Sequence, residues 1–187
     1  TDDPIHPRES REIMSRFSQD LSGYRAVVFD IDGVLSGRTV AMNDRGELIR
    51  TTNVHDGYAM RLAARAGIVL GIITGGHGDE IRNRFEPIGV KYIYERCHRK
   101  AEKLMELCQT AQIEPSEVIY CGDDLIDIPA MRLAGYSVAP ADAAEDVLMV
   151  ADHVCAVAGG QGVAREVLEE MLRARGEWGI VTDLPTF

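Results

Sequence analysis

Two aspartates separated by one residue follow a short apolar segment near the amino end of the chain. Residues 26–29, Ala-Val-Val-Phe, predict a buried strand, and Asp30 and Asp32 come directly after it, before Gly33. Residues two apart in an extended chain project to the same side, so we expect both carboxylates to face one point. Like charges held that close need a cation or a shared proton. The pair is therefore a candidate for catalysis, although Asp and Gly are also common where a strand simply turns.

Two further predicted strands also end in polar residues. The strand over 68–73 runs into Thr74, and the strand over 117–121 runs into Asp123. Because the carboxyl ends of parallel strands lie at one edge of a sheet, Thr74 and Asp123 should converge on Asp30. Carboxylate oxygens suit Mg²⁺, which also accepts a substrate phosphate.

These residue types supply the parts needed for phosphoryl transfer. An ionised Asp30 can attack phosphorus, and Asp32 can hold the proton that the leaving alcohol requires. Thr74 and the backbone amides after it would bind phosphoryl oxygens, and Lys100, at the start of a predicted helix, would supply fixed positive charge. The sequence therefore predicts a Mg²⁺-dependent enzyme that acts on phosphate esters.

Strand and helix patterns alternate along the chain, which predicts an α/β protein with a parallel sheet covered on both faces. Strands are predicted over Ala26–Phe29, Ile68–Ile73, Val90–Tyr94, Glu117–Cys121, Tyr136–Ala139 and His153–Val154, and an antiparallel hairpin over Thr39–Arg50. Helices are predicted over Pro7–Leu21, Asp56–Ala66 with Asp56 as its cap, Asp79–Phe85, Lys100–Ala111, Ile128–Ala134, Ala143–Val150 and Val163–Ala174. The corresponding organisation is a helical extension over 1–23, one domain over 24–176 with a hairpin flap over 36–52, and a tail over 177–187.

Composition narrows the classes of partner and the cellular compartment. With 187 residues the chain fits a single domain, and its net charge of -10 disfavours a nucleic-acid or anionic-membrane surface, though not a small anionic substrate. The apolar runs are too short to span a bilayer and no basic leader precedes them, so we expect a cytoplasmic protein without a membrane partner. The four cysteines show no metal-binding spacing, which indicates reduced thiols.

Four motifs occur in the order found in haloacid dehalogenase (HAD) superfamily phosphatases, and the sequence resembles that family. The motifs are Asp30-Ile31-Asp32-Gly33-Val34, Thr74-Gly75, Lys100 and Gly122-Asp123-Asp124-Leu125-Ile126-Asp127. The resemblance implies that Asp30 is the nucleophile, Asp32 the acid/base, Thr74 the phosphate-binding hydroxyl and Lys100 the charge-balancing lysine. It also implies that Mg²⁺ is held by the Asp30 carboxylate, the Asp32 carbonyl and Asp123, while Asp124 and Asp127 orient waters and Lys100.

Three segments narrow the resemblance to the small capless subfamily, in particular to the phosphatases of 3-deoxy-D-manno-octulosonate 8-phosphate (KDO 8-phosphate). The segments are Asn53–Tyr58, Gly122–Asp127 and Gly159–Gly162 followed by Arg165-Glu166-Val167. This resemblance implies a Rossmann-like three-layer α/β/α sandwich with a hairpin flap in place of a cap domain, and a homotetramer in which flaps cover neighbouring sites. It implies substrate contacts from Asp32, Asn53, His55, Asp56, Gly57, Arg61, Gly75, Gly76, Arg84 and Lys100. The apolar tail from Trp178 would enter an adjacent site or pack on its own subunit.

Several positions leave other functions open. Gly76, Gln161 and His55 stand where that family usually has arginine, and the first two changes remove a partner for a sugar-acid carboxylate or a phosphate. A nonulosonate 9-phosphate phosphatase is therefore an alternative. A receiver-like regulatory domain that binds Mg²⁺, or a subunit whose site only supports assembly, is a further one. Asp32 and Lys100 in their expected order argue against the receiver-like domain, and the presence of a residue at every catalytic position argues against the assembly subunit.

Overall fold

The protein structure, a computed structural model, describes residues 15–181 and consists of strands that alternate with helices. The strands are β1 Ala26–Phe29, β2 Ala41–Met42, β3 Leu48–Ile49, β4 Val69–Ile73, β5 Tyr92–Tyr94, β6 Val118–Cys121, β7 Tyr136–Ala139 and β8 His153–Val154. The helices are α1 Val54–Arg65, α2 Asp79–Phe85, α3 Lys100–Ala111, α4 Ile128–Leu133, α5 Glu145–Val150 and α6 Val163–Ala174. Most of these elements coincide with the predicted ones to within two residues.

The central sheet of the described chain has the strand order β5-β4-β1-β6-β7-β8, and all its neighbouring strands are parallel. Strand β1 lies between β4 and β6, with Phe29 in register with Ile72 on one side and Cys121 on the other. The carboxyl ends of these three strands therefore lie side by side. This confirms the predicted α/β sandwich with a parallel sheet.

Both faces of the sheet are covered, which explains why β1 is apolar throughout. Val27 and Phe29 face a core shared with α1, α2 and α6, whereas Ala26 and Val28 face a second core shared with α3, α4 and α5. All four residues of β1 are fully buried. The sheet is thus held rigidly between two helical layers, and the loops at its edge inherit that rigidity.

The hairpin predicted between the first two sheet strands is present as β2 and β3, which pair antiparallel. Its turn is closed by Asn43, whose side-chain oxygen accepts hydrogen bonds from the backbone N–H groups of Arg45 and Glu47, both at 3.0 Å. The hairpin exposes Met42 and Ile49, with 67% and 55% of their surface accessible. Apolar side chains on so small a sheet are a candidate contact surface.

Two of the predicted local features are wrong. Asn53, not Asp56, caps α1, because its side chain accepts hydrogen bonds from the N–H groups of His55 and Asp56. Asp56 instead lies buried in the first turn and accepts a hydrogen bond from the N–H of Arg165 at 2.7 Å, which joins α1 to α6. Burial raises the pKa of Asp56 to about 6. The predicted helix over 7–21 lies mostly outside the described residues, and residues 15–21 are not helical.

The described part of the carboxyl-terminal segment packs on its own chain. The Trp178 ring lies edge-on to Tyr58 with ring centres 6.1 Å apart, and the Arg165 guanidinium lies 4.4 Å from the centre of the Trp178 ring. The Tyr58 hydroxyl donates a hydrogen bond to the carbonyl of Gly179 at 3.0 Å. Residues 177–181 therefore cover α1 and α6, while the rest of the predicted tail lies outside the described residues.

The described chain also bears on the membrane and cysteine predictions. Among residues 15–181, no helix is long and apolar enough to cross a bilayer. All four cysteines lie in this range, are buried and form no disulfide with one another.

Candidate active site

The carboxyl ends of β1, β4 and β6 open into one cavity of about 420 Å³, a size typical of small-molecule sites. Asp30 follows β1, Thr74 follows β4 and Asp123 lies two residues beyond β6. The cavity is lined by Asp30, Asp32, Arg38, Thr74, Gly75, Gly76, Lys100, Asp123, Asp124, Ile126 and Ala144. The structure therefore brings all four predicted catalytic residues together with Asp123.

Lys100 is held between two buried carboxylates. Its Nζ lies 2.8 Å from Oδ2 of Asp30 and 2.7 Å from Oδ1 of Asp127, and its side chain is 1% exposed. Burial alone would lower the pKa of Lys100, but the charges and hydrogen bonds of Asp30 and Asp127 outweigh it and raise the pKa. The lysine is therefore a fixed positive charge beside Asp30.

Asp127 organises the acidic loop after β6. Its Oδ1 also accepts a hydrogen bond from the hydroxyl of Tyr120 at 2.9 Å. Its Oδ2 accepts from the N–H groups of Asp123 and Asp124 at 3.1 and 3.3 Å. Asp124 caps the short turn that follows, accepting from the N–H of Leu125 at 2.8 Å. Asp127 therefore positions both Lys100 and the backbone that carries Asp123.

The carboxylates of Asp30, Asp123 and Asp127 form a compact cluster whose oxygens lie within 4.8 Å of one another. Burial and then the charges of Asp30 and Asp127 raise the pKa of Asp123 to about 7. Burial and Asp127 likewise raise the pKa of Asp30 to about 6, although Lys100 opposes this. Among the described residues, the buried Oδ1 of Asp123 has no hydrogen-bond partner.

This donor set fits a hard divalent cation. Each oxygen of Asp127 already accepts two hydrogen bonds. The oxygens of Asp30 accept one each, from the N–H of Ile31 and from Lys100, and Oδ1 of Asp123 accepts none among the described residues. Asp123 and then Asp30 are therefore the carboxylates best placed to bind an ion. An unsatisfied buried carboxylate oxygen and a raised carboxyl pKa are what a cation at that position would relieve. The carboxylate of Asp32 is not part of this cluster.

Gly33 allows the loop after β1 to approach Asp123. Its φ is +92°, a conformation that side chains rarely adopt, and a Cβ at this position would overlap the Asp123 carboxylate. The glycine therefore follows Asp32 in the motif because the two acidic loops touch there.

Thr74 supplies a buried hydroxyl at the end of β4, with 1% of its surface exposed. Its Oγ1 accepts a hydrogen bond from the N–H of Gly76 at 3.0 Å, so the loop turns tightly over the cavity. Gly75 and Gly76 line the cavity without side chains of their own. The backbone amide of Gly75 therefore lies at the cavity next to the hydroxyl.

An arginine that was not predicted binds Asp32. Nε and Nη2 of Arg50, one residue beyond β3, lie 2.8 and 2.9 Å from the two carboxylate oxygens of Asp32. These hydrogen bonds, with the charge of Asp32, raise the pKa of Arg50 against the effect of burial. The guanidinium occupies the space beside Gly76, where a Cβ would overlap its Nη2. The arginine missing at position 76 is thus matched by an arginine that arrives from the hairpin.

Six of the predicted substrate-binding residues do not line the cavity of the described chain; they are Asn53, His55, Asp56, Gly57, Arg61 and Arg84. Arg84 donates a hydrogen bond to Thr52, and its guanidinium lies against Gly57. Burial and the charge of Arg84 lower the pKa of Arg61, so two cationic side chains lie close together on this face.

Arg38 is a second cation that was not predicted. It lines the cavity and pairs with Asp142 at 3.3 Å.

At one edge of the parallel sheet, Asp30, Thr74 and Asp123 follow strand ends, and Lys100 at the start of α3 joins them. This combination of fold and site is that of a phosphatase-like hydrolase. The model of the haloacid dehalogenase-like hydrolase family matches residues 79–167 of this chain. Two curated relatives support it over most of the chain, and the chain belongs to the haloacid dehalogenase-like hydrolase family.

The relatives are phosphatases with one named substrate. The chain is 39% identical over 153 residues to 3-deoxy-D-manno-octulosonate 8-phosphate phosphatase KdsC of Escherichia coli K12, covering 82% of this chain and 81% of that one. It is 37% identical over 157 residues to KdsC of Yersinia pestis, covering 84% of each.

Solved structures show the same similarity in three dimensions. The phosphatase from Yersinia pestis superposes with a TM-score of 0.81 at 36% identity, covering 85% of this chain and 86% of that chain. The enzyme from Moraxella catarrhalis, solved with magnesium, phosphate and KDO, superposes with a TM-score of 0.79 at 31% identity, covering 83% of this chain and 90% of that chain.

Proposed function

We propose that this protein is a cytoplasmic, Mg²⁺-dependent phosphatase that hydrolyses KDO 8-phosphate to KDO and phosphate through an aspartyl-phosphate on Asp30. The observation that carries the proposal is the cavity in which the Asp30 carboxylate lies beside Lys100 and Asp123, in a chain 39% identical to KdsC. The free buried cysteines fit a reducing compartment.

The same residues divide between binding the phosphoryl group and balancing its charge. The Thr74 hydroxyl and the amide of Gly75 are placed to bind phosphoryl oxygens, while the amide of Gly76 holds the Thr74 hydroxyl in position. Lys100, fixed by Asp127, holds positive charge beside Asp30 throughout. The Asp30 and Asp123 carboxylates and the Asp32 carbonyl would hold Mg²⁺, which neutralises charge on the phosphoryl oxygens when bound.

The first half of the reaction transfers the phosphoryl group to the protein. A carboxylate oxygen of Asp30 attacks phosphorus, and the bond between phosphorus and the C8 oxygen of the substrate breaks. Asp32, which lines the same cavity, gives a proton to that leaving oxygen and releases KDO. Lys100 remains paired with Asp127 while the charge of Asp30 is consumed.

The second half hydrolyses the acyl phosphate. Asp32, now ionised, accepts a proton from a water molecule as the water oxygen attacks phosphorus. The bond between phosphorus and Asp30 breaks, which returns Asp30 as a carboxylate and releases inorganic phosphate. Asp32 thus acts as acid and then as base, giving a proton to the leaving oxygen and taking one back from water.

The altered distribution of positively charged residues around the site favours one alternative substrate. Gly76 and Gln161 lack the side-chain charge expected at their positions, and Arg50 brings a guanidinium from the hairpin against Asp32 at the edge of the site. A nonulosonate 9-phosphate also has a carboxylate on its alcohol portion and would meet the same groups. The two candidates differ in the length and substitution of the sugar, not in the reaction.

For the assembly, we propose a homotetramer built through the flaps. The hairpin exposes Met42, Leu48 and Ile49, and no part of the described chain covers them. Arg61 and Arg84 lie outside the cavity of their own chain, so a neighbouring subunit's site is where they would meet substrate. Both observations support an arrangement in which one subunit completes the next.

The activity itself is tested by phosphate release from KDO 8-phosphate with and without Mg²⁺. We expect release that stops on chelation and a loss of about a thousandfold or more in kcat for Asp30→Asn, because the amide cannot act as a nucleophile. Arg25→Ala, a change at an exposed arginine before β1 and at the other end of the sheet, serves as a matched surface control. An Asp30→Asn variant with a near-normal rate would overturn the proposal.

A further inference from the structure

Arg50 is held on two sides by carboxylates. One edge of the guanidinium meets both oxygens of Asp32, and Nη1 lies 2.7 Å from Oε1 of Glu80. The arginine side chain is only 7% exposed, although it comes from the hairpin rather than from the sheet. A bidentate pair of this kind fixes orientation as well as charge. The hairpin is thus fastened to the active site through one side chain.

The surrounding backbone leaves room for this arrangement. A Cβ at Gly76 would overlap Nη2 of Arg50, and a Cβ at Gly78 would overlap the Glu80 carboxylate. Glycine at these two positions therefore clears the space that the ion pair occupies. The loop after β4 and the hairpin are matched to each other at this point.

The position of Arg50 identifies the part of the substrate that it would meet. In the proposed reaction, Asp30 and Lys100 mark the phosphoryl group and Asp32 marks the oxygen of the leaving alcohol. Arg50 is bound to the Asp32 carboxylate, so it lies nearer the alcohol portion of the substrate than the phosphoryl group. Its partner cannot be the transferring phosphoryl group alone, whose charge Lys100 already faces.

Two cations line the cavity of the described chain, and both are committed elsewhere. Lys100 is paired with Asp30 and Asp127, and Arg38 is paired with Asp142. Arg50 lies behind Asp32 and lines a neighbouring pocket of about 190 Å³ together with Glu80 and Arg84. Arg50 is different because it occupies both oxygens of Asp32, the carboxyl group that the proposed reaction needs as acid and base. A second carboxylate can take the place of Asp32 on the same two N–H groups.

We propose that Arg50 is a specificity-determining residue that binds a carboxylate on the alcohol portion of the substrate, exchanging it for the carboxylate of Asp32. The inference rests on the phosphatase function proposed above and names the group that selects its substrates. Binding forms two hydrogen bonds from Nε and Nη2 to the substrate and releases Asp32 towards the leaving oxygen. Glu80 keeps the guanidinium oriented during the exchange.

The test compares KDO 8-phosphate with ribose 5-phosphate, a sugar phosphate that lacks a carboxylate. The quantity is the ratio of kcat/KM for the two esters, measured with Mg²⁺ for the wild type, Arg50→Ala, Arg50→Lys and Gly76→Ala. We expect Arg50→Ala to lower the ratio by about ten- to hundredfold, mostly through KM for KDO 8-phosphate, because a charged pair is lost. Arg50→Lys should recover part of the ratio, since it keeps the charge without the bidentate geometry.

Gly76→Ala provides an independent arm because it leaves Arg50 in place and only crowds its guanidinium. We expect it to lower the ratio as well, and Arg25→Ala, at an exposed arginine before β1 at the other end of the sheet, to leave the ratio at the wild-type value. Thermal unfolding of each variant identifies any that fail to fold, and only the ratios of the folded variants are compared with the wild type.

The outcomes separate the two proposals. A wild type that prefers KDO 8-phosphate, with Arg50→Ala or Gly76→Ala keeping that preference unchanged, would overturn the role of Arg50 alone. A wild type that hydrolyses both esters equally well would overturn the substrate class and the Arg50 role together. A wild type that hydrolyses neither would overturn the phosphatase function itself.

Discussion

Nζ of Lys100 lies 2.7 Å from Oδ1 of Asp127, in a site where the two side chains are 1% and 0% exposed. The two residues are far apart in the sequence, and the pair joins the first turn of α3 to the loop after β6. Removing both charges from water is costly. Further hydrogen bonds to Asp30, Tyr120 and the loop backbone offset that cost and stabilise the buried pair. Its consequence is a lysine that cannot move away from the nucleophile.

Replacing this lysine should therefore damage both stability and catalysis. We expect Lys100→Met to lower the free energy of unfolding by about 3 kcal/mol or more, because Asp30 and Asp127 would be left as uncompensated buried charges. Urea unfolding followed by circular dichroism measures the change. Adding Asp127→Asn should recover at least about 1 kcal/mol of that loss without restoring activity, since one unpaired charge is then removed. Strictly additive losses in the double variant would contradict this coupling.

The acidic cluster predicts how stability depends on pH in the metal-free protein. The pKa values of Asp123 and Asp30 are raised to about 7 and about 6, so the folded state binds these protons more tightly than the unfolded chain does. The stabilisation is complete below the unfolded pKa, near 4, and is lost as the pH rises through 6 and 7.

Asp123→Asn isolates this effect because the amide does not titrate. In EDTA, the unfolding free energy of the wild type minus that of Asp123→Asn should fall by about 1–3 kcal/mol between pH 5 and pH 8. Mg²⁺ should stabilise the wild type more at pH 8 than at pH 5, and the variant much less, because the ion binds the ionised carboxylate. If this difference in unfolding free energy instead rises with pH in EDTA, the pKa of Asp123 is not raised in the folded protein.

Much of the site could be predicted because its residues sit at strand ends that the sequence marks clearly. An apolar β1 followed by Asp30, and a helix that begins at Lys100, are local patterns, and the parallel sheet then brings their ends together. The predicted bounds of α3 and α6 agree with the structure to the residue. Local periodicity and one topological rule were sufficient for this part.

The pairing of Arg50 with Asp32 could not be predicted in the same way. In the sequence, an arginine directly after a two-residue strand resembles any exposed cation, and its partner is fixed by how the hairpin folds over the sheet. The cap of α1 was missed for a different reason. Asn53 and Asp56 are both good capping residues, and only the backbone conformation of Asn53, with φ -90° and ψ 125°, decides between them.

That cap gives a prediction for stability. Asn53→Ala should lower the unfolding free energy by about 1 kcal/mol, because the N–H groups of His55 and Asp56 lose their acceptor. Asn53→Asp should retain most of the stability, since the carboxylate can accept the same hydrogen bonds. Chemical unfolding of the two variants beside the wild type measures both values. Equal losses in both variants would mean that the side chain acts through another contact.

The exposed hairpin gives a prediction for assembly. If the flaps join subunits, charges at Met42 and Ile49 should separate them, because both apolar side chains would then be buried against a neighbour. We expect the wild type to sediment as a tetramer and Met42→Glu with Ile49→Glu to sediment as a smaller species, with kcat/KM for KDO 8-phosphate reduced by about tenfold or more. Met149→Glu is the matched control, since this methionine is 78% exposed on α5, away from the hairpin. A monomeric wild type with full activity would show that the site of one chain needs no flap from another.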